Sequence, residues 1–318
     1  MKKNSSQLWQ PFRMIGKTYE HLSNWGKILV FVLLFLLVVA LFKNFQKKTE
    51  GFQQQVEELV VKNDVHVYDD FYSDVYDYLV YNNIKDDYEI GEIINRTQPS
   101  SESVILDVGS GTGHHVASLA SKGFNVTGVD ISDAMIRKAK QNYPHYNFVQ
   151  GDVLNSMVFP SYTFTHIMCL YFTIYYFKNK NIFFENCMRW LLPGGYLMIH
   201  VVNPHMFDPI LPPGNPLLLV SPQRYAKERI TTTKVVFNDM HYSSDFKIPE
   251  NGKVATFVET FKDKGTGKKR ENKHTLYMDS EEDIIMMAQN AGFILTGKID
   301  LLKCHYEYQY VYILQKPN

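Results

Sequence analysis

The segment Asp107-Val-Gly109-Ser-Gly111-Thr-Gly113 follows a short apolar run at 104–108 and opens a stretch with helical spacing. Glycines in such a turn let backbone approach a ligand closely. A helix starting there adds unpaired N–H groups and the positive end of its dipole. The spacing is G-x-G-x-G, whereas the dinucleotide fingerprint is G-x-G-x-x-G, and the G-K-[ST] signature of phosphate-binding loops is absent. Both features count against NAD and ATP. Asp130 ends the next run, NVTGVD, where a carboxylate can accept hydrogen bonds from both hydroxyls of a ribose. Asp152 ends a third, YNFVQGD. Each acid alone reads equally well as a turn or cap former. Three of them at three strand ends beside a glycine turn suit a ligand with ribose, amine and adenine groups and no phosphate.

The elements that must hold these groups alternate between strand and helix signals. Strands are expected at 104–108, 125–130, 146–152, 163–172 and 196–202, and helices at 114–122, 133–141 and 179–192. Such alternation predicts an α/β domain with a parallel sheet, helices on both faces and a ligand at the carboxyl ends of the strands. The alternation breaks after residue 202. A Pro-rich loop at 204–222 leads to strand-like runs at 232–237, 254–262 and 273–278, the last two flanking the hairpin tip KDKGTGKKREN. This insert, 203–278, is expected to form an antiparallel cover over the strand ends. A helix at 280–291 with Glu281, Glu282 and Asp283 in its first turn, then two antiparallel strands, close the chain.

Residues 28–42, ILVFVLLFLLVVALF, are apolar throughout. Extended to 25–45, a helix of this length reaches about 31 Å, enough for a ~30 Å hydrocarbon layer. Trp25 would then lie at the interface, with Lys27 and Lys43 reaching outward. The expected organisation is a tail at 1–24, one transmembrane helix at 25–45, a linker or helix at 46–63 and a catalytic domain at 64–318. Lysine and arginine flank the span on both sides, so charge does not decide the orientation. Supply of a soluble cosubstrate favours a cytosolic domain.

The series LDVGSGTGHH, GVDISDAMIRKAK, Gly151-Asp152 and LLPGGYLMI resembles the ordered motifs of class I S-adenosylmethionine-dependent methyltransferases, over residues 104–202. The tail after Asp279 resembles that family's last helix and strand pair. The resemblance implies a Rossmann-like seven-stranded sheet in the order 3-2-1-4-5-7-6, with strand 7 antiparallel, and S-adenosyl-L-methionine as cofactor. It also implies that Gly109, Gly111 and Gly113 border the methionine part, with Asp107 near its amino group. Asp130 would hold the ribose, Ile131 and Met135 would pack on adenine, and Asp152 and Val153 would meet the adenine edge. Thr165 stands where the fourth strand often begins with an acid. Leu170, Tyr171 and Phe172 close that strand and become pocket candidates. Tyr72 and Tyr76 are candidates to close over the cofactor.

For the transfer itself, His200 and Tyr171 are the candidate catalytic groups, with His205, Tyr175 and Tyr176 nearby. The expected acceptor is a small molecule or a lipid-associated one. Net charge is zero, which argues against a protein built to grip nucleic-acid backbone. A cap-type RNA methyltransferase and a membrane-anchored binding module without turnover remain as alternatives. Cys169, Cys187 and Cys304 show neither metal-ligand spacing nor a disulfide framework, and no metal is expected.

Overall fold

The computed structural model describes residues 23–33, 35, 59–214 and 221–318. Glu57–Asn318 forms one compact unit, and the residues before it belong to another. In that first unit residues 24–33 are helical, and Trp25, Ile28, Leu29, Phe31 and Leu33 are exposed. Among the described residues no helix is long and apolar enough to cross a membrane. Most of the expected tail, residues 34 and 36–45 of the expected span, and 46–58 of the expected linker lie outside the described residues.

The compact unit opens with strand β1 (Leu59–Asn63), where a linker or helix was expected. Two helices follow. Asp69 caps α1 (Asp70–Val80) by accepting from Tyr72 N, and Asn82 caps α2 (Asn83–Thr97) by accepting from Ile84 N and Lys85 N. The alternating section then runs β2 (Val104–Val108), α3 (His114–Ser121), β3 (Asn125–Asp130), α4 (Asp133–Asn142), β4 (Asn147–Gln150), β5 (Phe164–Cys169), α5 (Lys180–Trp190) and β6 (Leu191–Val202). The insert contributes β7 (Thr232–Val236), β8 (Met240–Lys247), β9 (Val254–Asp263) and β10 (Lys269–Tyr277). Helix α6 (Glu281–Asn290), β11 (Ile294–Asp300) and β12 (Gln309–Gln315) complete it.

Seven strands form the main sheet in the order β11-β12-β6-β5-β2-β3-β4. The pairs from β6 to β4 are parallel, and β12 is antiparallel to both β6 and β11. Helices cover both faces. Ile90, Ile93, Val116, Leu119 and Ile136 of α2, α3 and α4 pack on one side, and Phe183, Phe184, Trp190 and Ile284 of α5 and α6 on the other. Burial on both faces explains why β2, β5 and β6 read as nearly continuous apolar runs. Strand β6 begins at Leu191, earlier than expected, and so carries Pro193 near its start, where a missing N–H costs least.

The insert forms a second sheet, β1-β10-β9-β8-β7, antiparallel except that β1 lies parallel to β10. It is therefore five-stranded, with β1 and β8 added to the three strands expected. Its inner residues Phe246, Ala255 and Leu276 join the core beside Phe207 and Val202, at the carboxyl end of β6.

Candidate functional site

Three glycines turn the chain from β2 into α3, all with positive φ: Gly109 at 70°, Gly111 at 52° and Gly113 at 95°. Gly109 N and Ser110 N donate to Val129 O, at 2.8 and 3.0 Å, which pins the turn against β3. A Cβ on Gly109 would stand 2.6 Å from Thr173, and one on Gly113 would stand 2.7 Å from Phe148. Gly111 differs: the nearest atom to its absent Cβ belongs to Tyr76, at 3.8 Å, so this glycine faces open space.

Asp130 ties the turn to the next helix. Its two carboxylate oxygens accept from Gly111 N at 3.0 Å and Ser132 N at 2.8 Å. A carboxylate offers about four lone-pair sites, so these bonds leave capacity for further donors. Burial raises the Asp130 pKa, opposed by those two backbone N–H groups.

Two adjoining cavities of about 340 and 190 Å³ meet here, together large enough for an organic cofactor and a small partner. Asp130, Ile131, Met135, Asp152 and Val153 line the larger one. Asp107, Leu170, Tyr171 and His200 line the smaller one. Gly109, Gly111, Tyr68, Tyr76 and Tyr176 border both. Gly113 borders neither, and its packing against Phe148 makes it a helix–strand contact. Ile131 is 46% exposed, an apolar face turned to the larger cavity. Asp152 is exposed and also forms a local turn, accepting from Leu154 N at 2.9 Å.

Helix α1 lies over the turn. Asp77 accepts from Thr112 Oγ1 at 2.6 Å and pairs with His114, while Ser132 Oγ donates to Tyr68 O at 2.6 Å. Tyr72 and Tyr76 consequently form part of the cavity wall, Tyr76 above Gly111.

Below the turn sits a buried ionic network that the sequence reading did not anticipate. Lys85 donates to both oxygens of Glu89, at 2.7 and 2.8 Å, and its ammonium lies 3.6 Å from the centre of the Tyr171 ring. Tyr171 donates to Asp86 at 2.6 Å from a left-handed backbone, φ 51°. His115 stands 3.5 Å from Asp86 and 3.9 Å from Asp107. Asp107 Oδ2 is buried without a hydrogen-bond partner. Burial pushes the Asp107 carboxyl up to about 6, with His115 opposing and Asp86 and Asp130 adding to the rise. Burial also disfavours charge on Asp86, but His115, Lys85 and the Tyr171 hydroxyl outweigh it and hold the pKa at about 2. Donor atoms of Asp86, Glu89 and His115 lie within 4.8 Å of one another. Lys85 and the imidazole already balance them, which fits an ion-pair network better than a cation site.

The same balance gives a pH dependence. Burial works to lower the His115 pKa, but Asp86, Asp107 and Glu89 raise it to about 9. A pKa raised on folding contributes stability that is fully present below the unfolded value, about 6.5, and lost as pH rises through about 9. Thermal melts of the wild type and His115→Gln should therefore differ most near pH 6 and converge by roughly pH 10. A gap that stays constant over this range would remove His115 from the network.

His200 is buried. Its Nδ1 donates to Tyr171 O, which leaves Nε2 as the lone-pair nitrogen. Burial, with help from Lys85, lowers its pKa to about 3, so it is a weak base at neutral pH. His205 is exposed, and the Tyr175 hydroxyl is engaged with both backbone atoms of Val202. Thr165 Oγ1 bonds Val104 O and N at 3.0 Å, stitching β5 to β2 far from the cavities.

Residues 105–195 match a family model described as a methyltransferase domain. A demethylmenaquinone methyltransferase of Chlorobaculum parvum is 30% identical over 146 residues, which are 46% of this chain and 56% of that protein. The chain spans about half the length of this curated relative. Among solved structures, an S-adenosylmethionine-dependent methyltransferase from Clostridium acetobutylicum superposes with a TM-score of 0.58 at 16% identity, covering 78% of this chain and 97% of that one. CalS10, an amino pentose methyltransferase of Micromonospora echinaspora solved with bound S-adenosylmethionine, gives 0.53 at 18% identity, covering 73% and 91%. Residues 105–195 are thus similar to a methyltransferase domain, and the fold is that of S-adenosylmethionine-dependent methyltransferases.

Proposed function

We propose that the protein transfers a methyl group from S-adenosylmethionine to a small-molecule acceptor with an apolar or aromatic body. The observation that carries this is the convergence of Asp107, the glycine turn and Asp130 on two joined cavities at the carboxyl ends of β2 and β3. The residues present fit the cofactor: Asp107 Oδ2 lacks a hydrogen-bond partner, Gly111 faces open space, and Asp130 keeps free lone pairs. In this reading Ile131 and Met135 pack on adenine, Asp152 and Val153 meet its edge, Asp130 takes the ribose, and Asp107 takes the amino group. Gly109 and Gly111 border the methionine part beside Leu170. The cofactor supplies an electrophilic methyl on a sulfonium.

The chain's own work is to orient the acceptor and exclude water. Phe172, Phe207, Phe246, Leu211 and Leu276 give the smaller cavity an apolar wall. Tyr171 and His200 act here as positioning groups, since the Tyr171 hydroxyl is engaged by Asp86 and the His200 pKa is low. The relative named as a demethylmenaquinone methyltransferase and the apolar run at 28–42 support an acceptor that partitions into a bilayer, with residues 25–45 as the tether. The test is full-length protein on liposomes with methyl-labelled S-adenosylmethionine and a panel of quinols, phenols, amino sugars and capped RNA. Label on a quinol or phenol is the expected result, and label on RNA alone would contradict it.

A further inference from the structure

The insert brings a second hydrogen-bonded chain of ionisable groups to the cavities, apart from the network around Asp86. Tyr68 donates its hydroxyl proton to the Tyr176 oxygen at 2.7 Å. The Tyr176 hydroxyl lies 2.9 Å from His274 Nδ1, and His274 Nε2 lies 2.9 Å from Glu259 Oε2. A carboxylate only accepts, so Nε2 carries the hydrogen and Nδ1 receives the one from Tyr176. Tyr242 and Asn272 also donate to Glu259, at 2.7 and 3.3 Å, which fixes the carboxylate in place. Both Glu259 and His274 are fully buried. The rings of Tyr68, Tyr72, Tyr176 and Phe257 surround the imidazole. Tyr68 and Tyr176 border both cavities, at the junction between them.

This order of groups is that of a nucleophile–histidine–acid triad, with a tyrosine hydroxyl in the first place. Burial pushes the Tyr176 pKa well above its ordinary value, so its hydroxyl is neutral at rest and is no base by itself. It becomes a proton acceptor only by passing its own proton to His274. Its oxygen can take one further donor beside Tyr68.

We propose that Tyr176, His274 and Glu259 form a proton relay for an acceptor carrying an ionisable aryl hydroxyl, a phenol or quinol, held at the cavity junction. The proposal rests on the methyl-transfer reading and names its acceptor class. As the acceptor oxygen forms its bond to the methyl carbon, the C–S bond breaks and its electron pair stays on sulfur. The hydroxyl proton passes to the Tyr176 oxygen, the Tyr176 proton passes to His274 Nδ1, and the imidazolium is held by Glu259. The Tyr68 hydroxyl stabilises charge developing on Tyr176. Tyr176 is the catalytic residue, while His274 and Glu259 are positioning residues acting through it.

The test uses full-length protein saturated with S-adenosylhomocysteine, with 4-nitrophenol as a probe whose ionised form absorbs visible light. At a pH where the free probe is mostly protonated, the wild type is expected to show the nitrophenolate band at saturation. His274→Gln and Tyr176→Phe are expected to reduce that band by about tenfold or more while still binding S-adenosylhomocysteine. Tyr176→Phe removes a single oxygen from a half-buried position and covers the case in which His274→Gln fails to fold. A bound probe that stays protonated in the wild type, a band unchanged in both variants, or no saturable probe binding to the loaded protein overturns the relay alone. Failure of the wild type to bind S-adenosylhomocysteine is a different result and removes the methyl-transfer reading and the relay together.

Discussion

Asp130→Ala is expected to abolish measurable binding of S-adenosylmethionine, and Asp130→Asn to weaken it less. The carboxylate does two jobs at once. It holds Gly111 N and Ser132 N in place, and in the proposed reading its remaining lone pairs accept from the two ribose hydroxyls. Hydrogen bonds to a charged acceptor are worth about 1.5–3 kcal/mol each, so losing two ribose bonds costs roughly 3–6 kcal/mol, or two to four powers of ten in affinity. Alanine also leaves both backbone N–H groups without their partner, which loosens the turn itself. Asparagine keeps one oxygen and retains part of both roles. Equilibrium binding on folded variants checks the order wild type, then Asn, then Ala. Equal affinities across the three would place the ribose elsewhere.

The second large effect concerns Asp107. Its carboxyl is fully buried, one oxygen lacks a hydrogen-bond partner, and burial raises its pKa to about 6. An ammonium group on a ligand pairs most strongly with that oxygen when the acid is ionised. Affinity for S-adenosylhomocysteine should therefore be level between about pH 7 and 8 and fall as pH drops through about 6, by up to about tenfold per pH unit. Asp107→Asn should weaken binding at neutral pH by about 2–5 kcal/mol, the usual loss on truncating one member of a buried charge pair, and flatten the pH profile. A steep acid limb surviving in the asparagine variant would assign it to another group.

The groups that line the cavities from the strand ends were legible in the sequence because they sit next to their own elements. β2 is buried nearly throughout and reads as an apolar run, β3 carries the buried Val126 and Val129, and Asp107 and Asp130 stand at the carboxyl ends of these two strands. What required tertiary packing was not legible. Asp86, Lys85 and Glu89 lie on α2, whose mean composition reads as an ordinary polar helix. Only the Lys85–Glu89 spacing of four, with the adjacent His114 and His115 after the turn, carried a local signal for the network. β8 escaped notice because Ser244 stands between Tyr242 and Phe246 on its inner face and dilutes the alternation. β1 pairs in parallel with β10, more than two hundred residues away, and such a pairing leaves no mark in local sequence. His200 was singled out by its place near the end of β6. Its burial and the bond to Tyr171 O, which make it a weak base, are properties of the packed interior. Glu259 and His274 likewise meet only because β9 and β10 pair within the cover.

The most direct measurement is calorimetric titration of the full-length wild-type protein with S-adenosylhomocysteine and S-adenosylmethionine. Saturable binding of both at one site per chain, with dissociation constants in the micromolar range, is the predicted result. A folded protein that binds neither would contradict the account.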